Sequence, residues 1–237
     1  MTFYEITRNL HIIGGTVALI AFWWTWAMRK GTSRHRLIGR IYLVAIAFII
    51  VTAVPLALGA FERGLPVRGA FLLYLVVITG TPAWLAWRAI RDKADVKRYA
   101  GGLYRALAWL SIASGAAVLA LGLKFQVLLL SGFSAVGIIT GALMLRFARK
   151  LTAERNWWMS EHYGSIIATG VATHVAFINL GLSHIVPQEW AQQLTTFSFF
   201  APLLIAVGAR RWLDRKYVKT RTLSKARLAS SPVGVDG

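Results

Sequence analysis

Apolar residues run in long stretches along this chain, and short clusters rich in Arg, Lys and Gly divide them. Seven stretches stand out, at residues 9–28, 37–60, 69–90, 102–122, 125–147, 161–184 and 193–213. About 20 apolar residues in helical form cross the hydrocarbon core of a bilayer, so each stretch is a candidate span. Inside a bilayer every backbone polar group needs a partner within its own segment, which makes each span a helix. The pattern therefore predicts an all-α, polytopic membrane bundle of seven transmembrane helices. Residues 1–213 form the membrane domain, and residues 214–237 form a basic, largely disordered cytoplasmic tail.

The basic residues orient the bundle. Arg29, Lys30, Arg34, Arg36 and Arg40 follow the first span, and Arg88, Arg91, Lys93, Lys97, Arg98 and Arg105 follow the third. Arg146, Arg149, Lys150 and Arg155 follow the fifth, and the tail from Arg210 carries the rest of this side. Of the 27 Lys and Arg residues, only Arg8, Arg63, Arg68 and Lys124 fall on the opposite side. The positive-inside rule then predicts the N-terminus out and the C-terminus in. Trp23, Trp24, Trp26, Trp84, Trp87, Trp157, Trp158 and Trp212 cluster near the same predicted interface, where amphipathic rings anchor.

Composition agrees. The chain has 237 residues, of which 57 % are hydrophobic and only 15 % charged. A formal charge of +18 can signal nucleic acid, but here it is dispersed over short loops and the tail. The expected partners are the lipid bilayer and anionic headgroups at the cytoplasmic face, not nucleic acid. MTFYEITR at the start lacks the basic region of a cleavable signal. There is no cysteine, so thiolate metal sites, disulfides and covalent c-type haem attachment are excluded. Histidine is left as the borderline metal ligand.

Three of the five histidines fall in one stretch, EHYGSIIATGVATHVAFINLGLSH at 161–184. On an ideal helix His162, His174 and His184 share an arc of about 120°. Gly170 and Gly181 share that arc and leave it locally flat, open to a planar group or to another helix. Gly164, Ala168, Ala172 and Ala176 form a small-residue seam elsewhere on this helix, and Gly137 and Gly141 form another in the fifth span. At about 1.5 Å per residue, His162 lies at the inner boundary and His174 roughly 18 Å further, near mid-membrane. An ionisable group at that depth is a functional candidate by default. His11 lies near the outer end of the first span and His35 before the second. Two pairings follow: His35 with His162 on the inner side, and His11 with His174 or His184 on the outer side.

Histidine pairs from separate helices are how a bundle holds b-type haem. His11, His35, His162 and His174 are the candidate iron ligands, with Arg36 and Arg40 as partners for haem propionates. The expected function is electron transfer, with quinone or another redox carrier as partner. The alternative is a non-enzymatic transporter or accessory protein without cofactor, in which His174 and Asn179 line a polar pocket or join helices. No Asp or Glu lies deep in a span, and no H-E-x-x-H or Ser-His-Asp arrangement is present, so no catalytic residue is assigned.

HRLIGRIY at 35–42, preceded by KGT at 30–32, together with the early histidine His11 and EHYGSIIATGVATHVAF, resembles the bacterial membrane proteins catalogued as domain of unknown function 2306. The resemblance runs from the first span to the sixth. It implies a multi-span inner-membrane protein whose motif histidines correspond to His11, His35 and His162, with His174 beside them. It implies neither a substrate nor a reaction.

Overall fold

The computed structural model describes residues 2–151, 156–180 and 187–219. Among these the chain is entirely helical. Seven long helices make up most of it: α1 (Phe3–Ala27), α2 (Ser33–Glu62), α3 (Pro66–Arg91), α5 (Gly102–Lys124), α6 (Leu128–Lys150), α7 (Trp157–Leu180) and α8 (Gln188–Asp214). A single turn, α4 (Val96–Tyr99), lies between α3 and α5, and a π-helical turn, Arg215–Lys219, extends α8. Five of them, α1, α2, α3, α5 and α6, are long and apolar enough to cross a membrane. The sequence called 214–237 a disordered tail; residues 220–237 lie outside the described residues.

Boundaries moved where capping chemistry lies beyond the apolar stretch. Helix α1 starts six residues before the first apolar stretch, because Thr2 and Glu5 form a capping box. The Thr2 hydroxyl accepts from Glu5 N–H at 3.2 Å, and Glu5 Oε2 accepts from Thr2 N–H at 2.7 Å. Thr32 starts α2 by accepting from His35 N–H, after Gly31 turns the chain at φ +82°. Asp95 caps the unforeseen α4 by accepting from Arg98 N–H at 3.0 Å.

Helix α3 is the hub. It packs against α2, α5, α6 and α7, while α1 closes onto α2 and α7 and α8 lies along α7. The buried interior is built from Ala and Tyr: Ala18, Ala57, Ala86, Ala89, Ala108, Tyr42, Tyr74, Tyr99 and Tyr104 are almost wholly enclosed. Large aliphatic residues such as Val44, Val51 and Leu204 face outward. That inversion is what lipid dictates. Leu gains nothing by leaving lipid for protein, whereas small residues allow close backbone contact.

The Gly137–Gly141 seam packs on α5 as its spacing predicts. A Cβ at Gly141 would lie 2.4 Å from the Ala108 carbonyl oxygen, and one at Gly137 2.7 Å from that of Ser111. Gly137 serves a second purpose. The Tyr74 hydroxyl enters the α6 backbone ladder there, donating to the Phe133 carbonyl at 2.8 Å and accepting from Gly137 N–H at 2.9 Å. The seam expected on α7 differs. Ala168 and Ala176 are exposed, and the space over Gly164 is filled by the Arg210 guanidinium rather than by backbone. Not every tryptophan is an interfacial anchor either. Trp157 is buried against Tyr99, with ring centroids 4.8 Å apart.

Gly141→Ala should lower stability by about 1–3 kcal/mol, because neither backbone can yield. Gly39→Ala, with open space at its Cβ, should be neutral or stabilising by about 0.5–1 kcal/mol through helix propensity. Thermal unfolding of the two variants in detergent checks the contrast; equal effects would refute the close α5–α6 seam.

Candidate functional site

Each described histidine in the bundle is tied to a second helix. His11 of α1 lies 2.9 Å from Thr52 Oγ1 of α2. The Thr52 hydroxyl hydrogen is directed back at the Phe48 and Ile49 carbonyls of its own helix, at 2.9 and 3.1 Å. Thr52 therefore accepts, and His11 donates from Nδ1. The outer partner considered for it, His184, lies outside the described residues, as does the side chain of Asn179.

His174 of α7 is held at both nitrogens. Its Nδ1–H donates to the Gly170 carbonyl at 2.7 Å, and its Nε2 accepts from Trp23 Nε1–H of α1 at 2.9 Å. Phe22 and Trp23 meet the ring edge-on, with centroids 5.3 and 5.5 Å away. The flat surface around Gly170 receives this other helix: a Cβ there would lie 2.4 Å from the Phe22 ring. Trp23 is four residues from the end of α1, which sets His174 beside the last turns of that helix. His11 is twelve residues earlier on α1, roughly 18 Å along the axis. His162 is equally far down α7. The structure thus does not bring His174 within reach of His11 or His162 for a shared ion.

The inner pair stands on α2 and α7. His162 of α7 donates from Nδ1 to the Ala86 carbonyl of α3 at 3.0 Å. That fixes its tautomer and leaves the Nε2 lone pair without a protein partner. The His35 ring lies on the first turn of α2. His35 Nδ1 is buried with no hydrogen-bond partner at all. A buried polar atom left so costs about 1–3 kcal/mol unless something occupies it. Lys30 closes the edge of this site, donating to the Thr25 and Trp26 carbonyls at 2.8 and 2.7 Å. Burial holds the Lys30 amine below its ordinary pKa. Arg36 and Arg40 stand exposed on the first turns of α2.

A second polar layer surrounds the pair, and the sequence gives no local signal for it. Tyr99 is fully buried and donates to Glu161 Oε2 at 3.0 Å. Burial, then the charge on Glu161, pushes the Tyr99 hydroxyl far above its ordinary range, so it stays a donor. Buried Asp92 pairs with Arg88, and its second oxygen is 3.5 Å from Arg98 Nε. Two loop arginines that read as topology determinants therefore also neutralise a buried carboxylate. Tyr163 and Ser160 of α7 both donate to Asp214 at the end of α8. Higher in the bundle, the buried Tyr42 hydroxyl of α2 donates to Thr169 of α7 at 2.8 Å. Apart from the Asp92 ion pairs, these partners are 51 to 127 residues apart in the chain, too far for any motif to announce them.

No protein-family model, no curated protein and no solved structure matches the chain. Among the described residues no group of three or more His, Cys, Asp or Glu side chains is placed to hold a metal ion.

The His174–Trp23 bond makes a quantitative prediction. Trp23→Phe and His174→Ala should each destabilise, and the double variant should lose less than their sum. The coupling expected for one interhelical bond in a membrane is about 0.6 kcal/mol, with an upper value near 1.7 kcal/mol. A double-mutant cycle on unfolding in detergent measures it, and zero coupling would show that the bond is not formed.

Proposed function

We propose that this is an inner-membrane protein of the non-enzymatic kind, a small-molecule transporter or an accessory subunit, in which most histidines fasten helices. Seven spans with the N-terminus out and the C-terminus in suit the helix order and the basic connections. Here α7 and α8 cross while packed against the bundle. The resemblance of HRLIGRIY and the α7 histidine stretch to domain of unknown function 2306 proteins points the same way and names no reaction.

The observation that carries this reading is the double engagement of His174, the residue best placed by sequence to bind iron. Its only lone pair accepts from Trp23, so it has none left for a metal. Paired axial nitrogens across one iron stand about 4 Å apart, given bonds near 2 Å. His174 stands roughly 18 Å along α7 from His162, and its partner Trp23 roughly 18 Å along α1 from His11, which is incompatible with that. The inner pair remains, and haem fits it poorly. His162 offers a free Nε2, the ring tip that normally meets a haem iron. His35 offers Nδ1, which adjoins the carbon carrying Cβ. A macrocycle centred there would run into the side chain's own backbone. The donors suit something small, so no electron-transfer step is assigned to this site, and Arg36 and Arg40 are read as headgroup contacts.

Two measurements test the reading. Protein purified with haem supplied during expression should be colourless, with no reduced-minus-oxidised band. A sharp band of six-coordinate b haem, abolished by His162→Ala, would replace this reading with the redox one. For topology, reporter fusions at the C-terminus and at the α2–α3 turn should be active on opposite sides, inner and outer respectively; the reverse pattern would sink the orientation.

A further inference from the structure

We propose that a groove between the α2–α3 turn and α6 binds an anionic phospholipid, with its phosphate on Arg68 and an acyl chain along Val67, Phe71 and Leu130. The inference goes beyond the proposed function. It needs the bundle to stand in a bilayer, and nothing of what the bundle carries or accompanies.

The groove has a volume of about 460 Å³, within the range of sites that take small ligands. Gly64 and Leu65 of the turn, Val67, Arg68 and Phe71 of α3, and Leu130 of α6 line it. Arg68 is its one charged residue; the floor is carbon. Val67 and Phe71 pack onto the buried cluster of Tyr74, Val118, Leu130, Phe133 and Val175. An apolar chain laid in the groove would extend that cluster. Phe71 meets Phe133 edge-on, with centroids 6.0 Å apart, which fixes the wall. Gly64 turns the chain at φ +72° with open space where a Cβ would stand, so no side chain narrows the entrance there. Apolar hollows do not hold water, and acyl chains are the apolar molecules that surround this one in a bilayer.

Charge selects the headgroup. Arg68 is exposed, and among the described residues no carboxylate pairs with it. The other arginine of this turn, Arg63, lies over the Tyr4 ring at 3.9 Å. The acid of the turn, Glu62, does not line the groove. The start of α3 adds to the positive rim. Leu65 at its N-cap has no side-chain acceptor to offer, and Pro66 follows. The Val67 and Arg68 N–H groups therefore lack acceptors within the helix, and its dipole favours an anion there. A phosphate diester accepts from a guanidinium with charge assistance. A zwitterionic headgroup would bring its own cation toward Arg68, with no carboxylate in the groove to receive it. Depth fits as well: Arg68 stands on the first turn of α3, at headgroup level, and Phe71 lies about one turn deeper, among the acyl chains. This end of the bundle carries only four of the 27 Lys and Arg residues, so the attraction is local rather than that of a basic surface.

The test is native mass spectrometry of the purified full chain in detergent, titrated with phosphatidylglycerol and phosphatidylcholine of identical acyl chains. One phosphatidylglycerol should stay bound per chain under conditions that strip phosphatidylcholine. Arg68→Gln should lower its apparent affinity at least about 10-fold, the scale of one lost hydrogen bond to a charged group. Arg8→Gln, at the same end of the bundle, should leave it unchanged. Val67→Trp, which fills the groove and keeps Arg68, should weaken both lipids. Arg68 is exposed, so its substitution leaves the fold intact, and far-UV circular dichroism checks the helices of every variant. Equal retention of the two lipids, no effect of Arg68→Gln, or an equal effect of Arg8→Gln would overturn the site. Full binding by a folded Val67→Trp would also overturn it, since the arginine would then act without the groove. A dimer that holds no lipid would assign the groove to a second copy of the chain and overturn it too. None of these results bears on the haem spectrum or the fusion reporters, so failure here is separate from failure of the proposed function.

Discussion

In a bundle surrounded by lipid, no water is present to satisfy a side-chain polar atom, so each one must find its partner on a neighbouring helix. The tertiary structure follows from that constraint. Trp23 meets His174 across α1 and α7, Tyr42 meets Thr169 across α2 and α7, and His162 meets the Ala86 carbonyl across α7 and α3. Tyr74 reaches from α3 into the ladder of α6 itself. These bonds set rotation and register between helices whose apolar surfaces are nearly indifferent to one another. The packing then needs small residues where backbones meet, and Gly137, Gly141, Ala86 and Ala108 supply them.

The same constraint separates structural histidines from a possible ligand position. A histidine whose two nitrogens both have protein partners is a fastener, and His174 is one. A histidine with one nitrogen fixed and the other open retains a lone pair for something else. His35 and His162 are each in that state, at the end of the bundle where Tyr99 donates to Glu161 and Arg88 pairs with Asp92, whose Oδ1 has no hydrogen-bond partner. The inner end thus concentrates the polar chemistry of the bundle. The cost of enclosing it is offset by pairing: charged groups oppose charged groups, and hydroxyls donate to them.

Much of the fold is legible along the chain. All seven apolar stretches correspond to long helices, since an unbroken apolar run of this length has few other solutions. The ends were read less well, and for identifiable reasons. The capping box of Thr2 and Glu5 lies in a polar segment that the apolar pattern ignores, so α1 began earlier than the stretch. Asp95 nucleated α4 in what looked like a plain basic loop. The Gly137–Gly141 seam was legible because small residues four apart share a helix face. The same spacing on α7 misled, since it cannot reveal that Arg210 of α8 would fill the space over Gly164.

The sequence by itself determined the class of the protein: helical, apolar, cysteine-free, strongly basic on one set of connections, with histidine as its candidate ligand chemistry. Periodicity and composition act locally, so a single chain read end to end carries them in full. Only the tertiary structure decided which histidines meet. Sequence reasoning paired His11 with His174 or His184 by depth and marked the Trp23 ring as an interfacial anchor; the packing of α1 on α7 gave that ring's N–H to His174. It paired His35 with His162 as well; there the packing of α7 on α3 gave His162 Nδ1–H to the Ala86 carbonyl and left His35 Nδ1 without a partner. Helix-to-helix register depends on partners 41 to 151 residues apart, and no local pattern encodes which face of one helix will find which face of another.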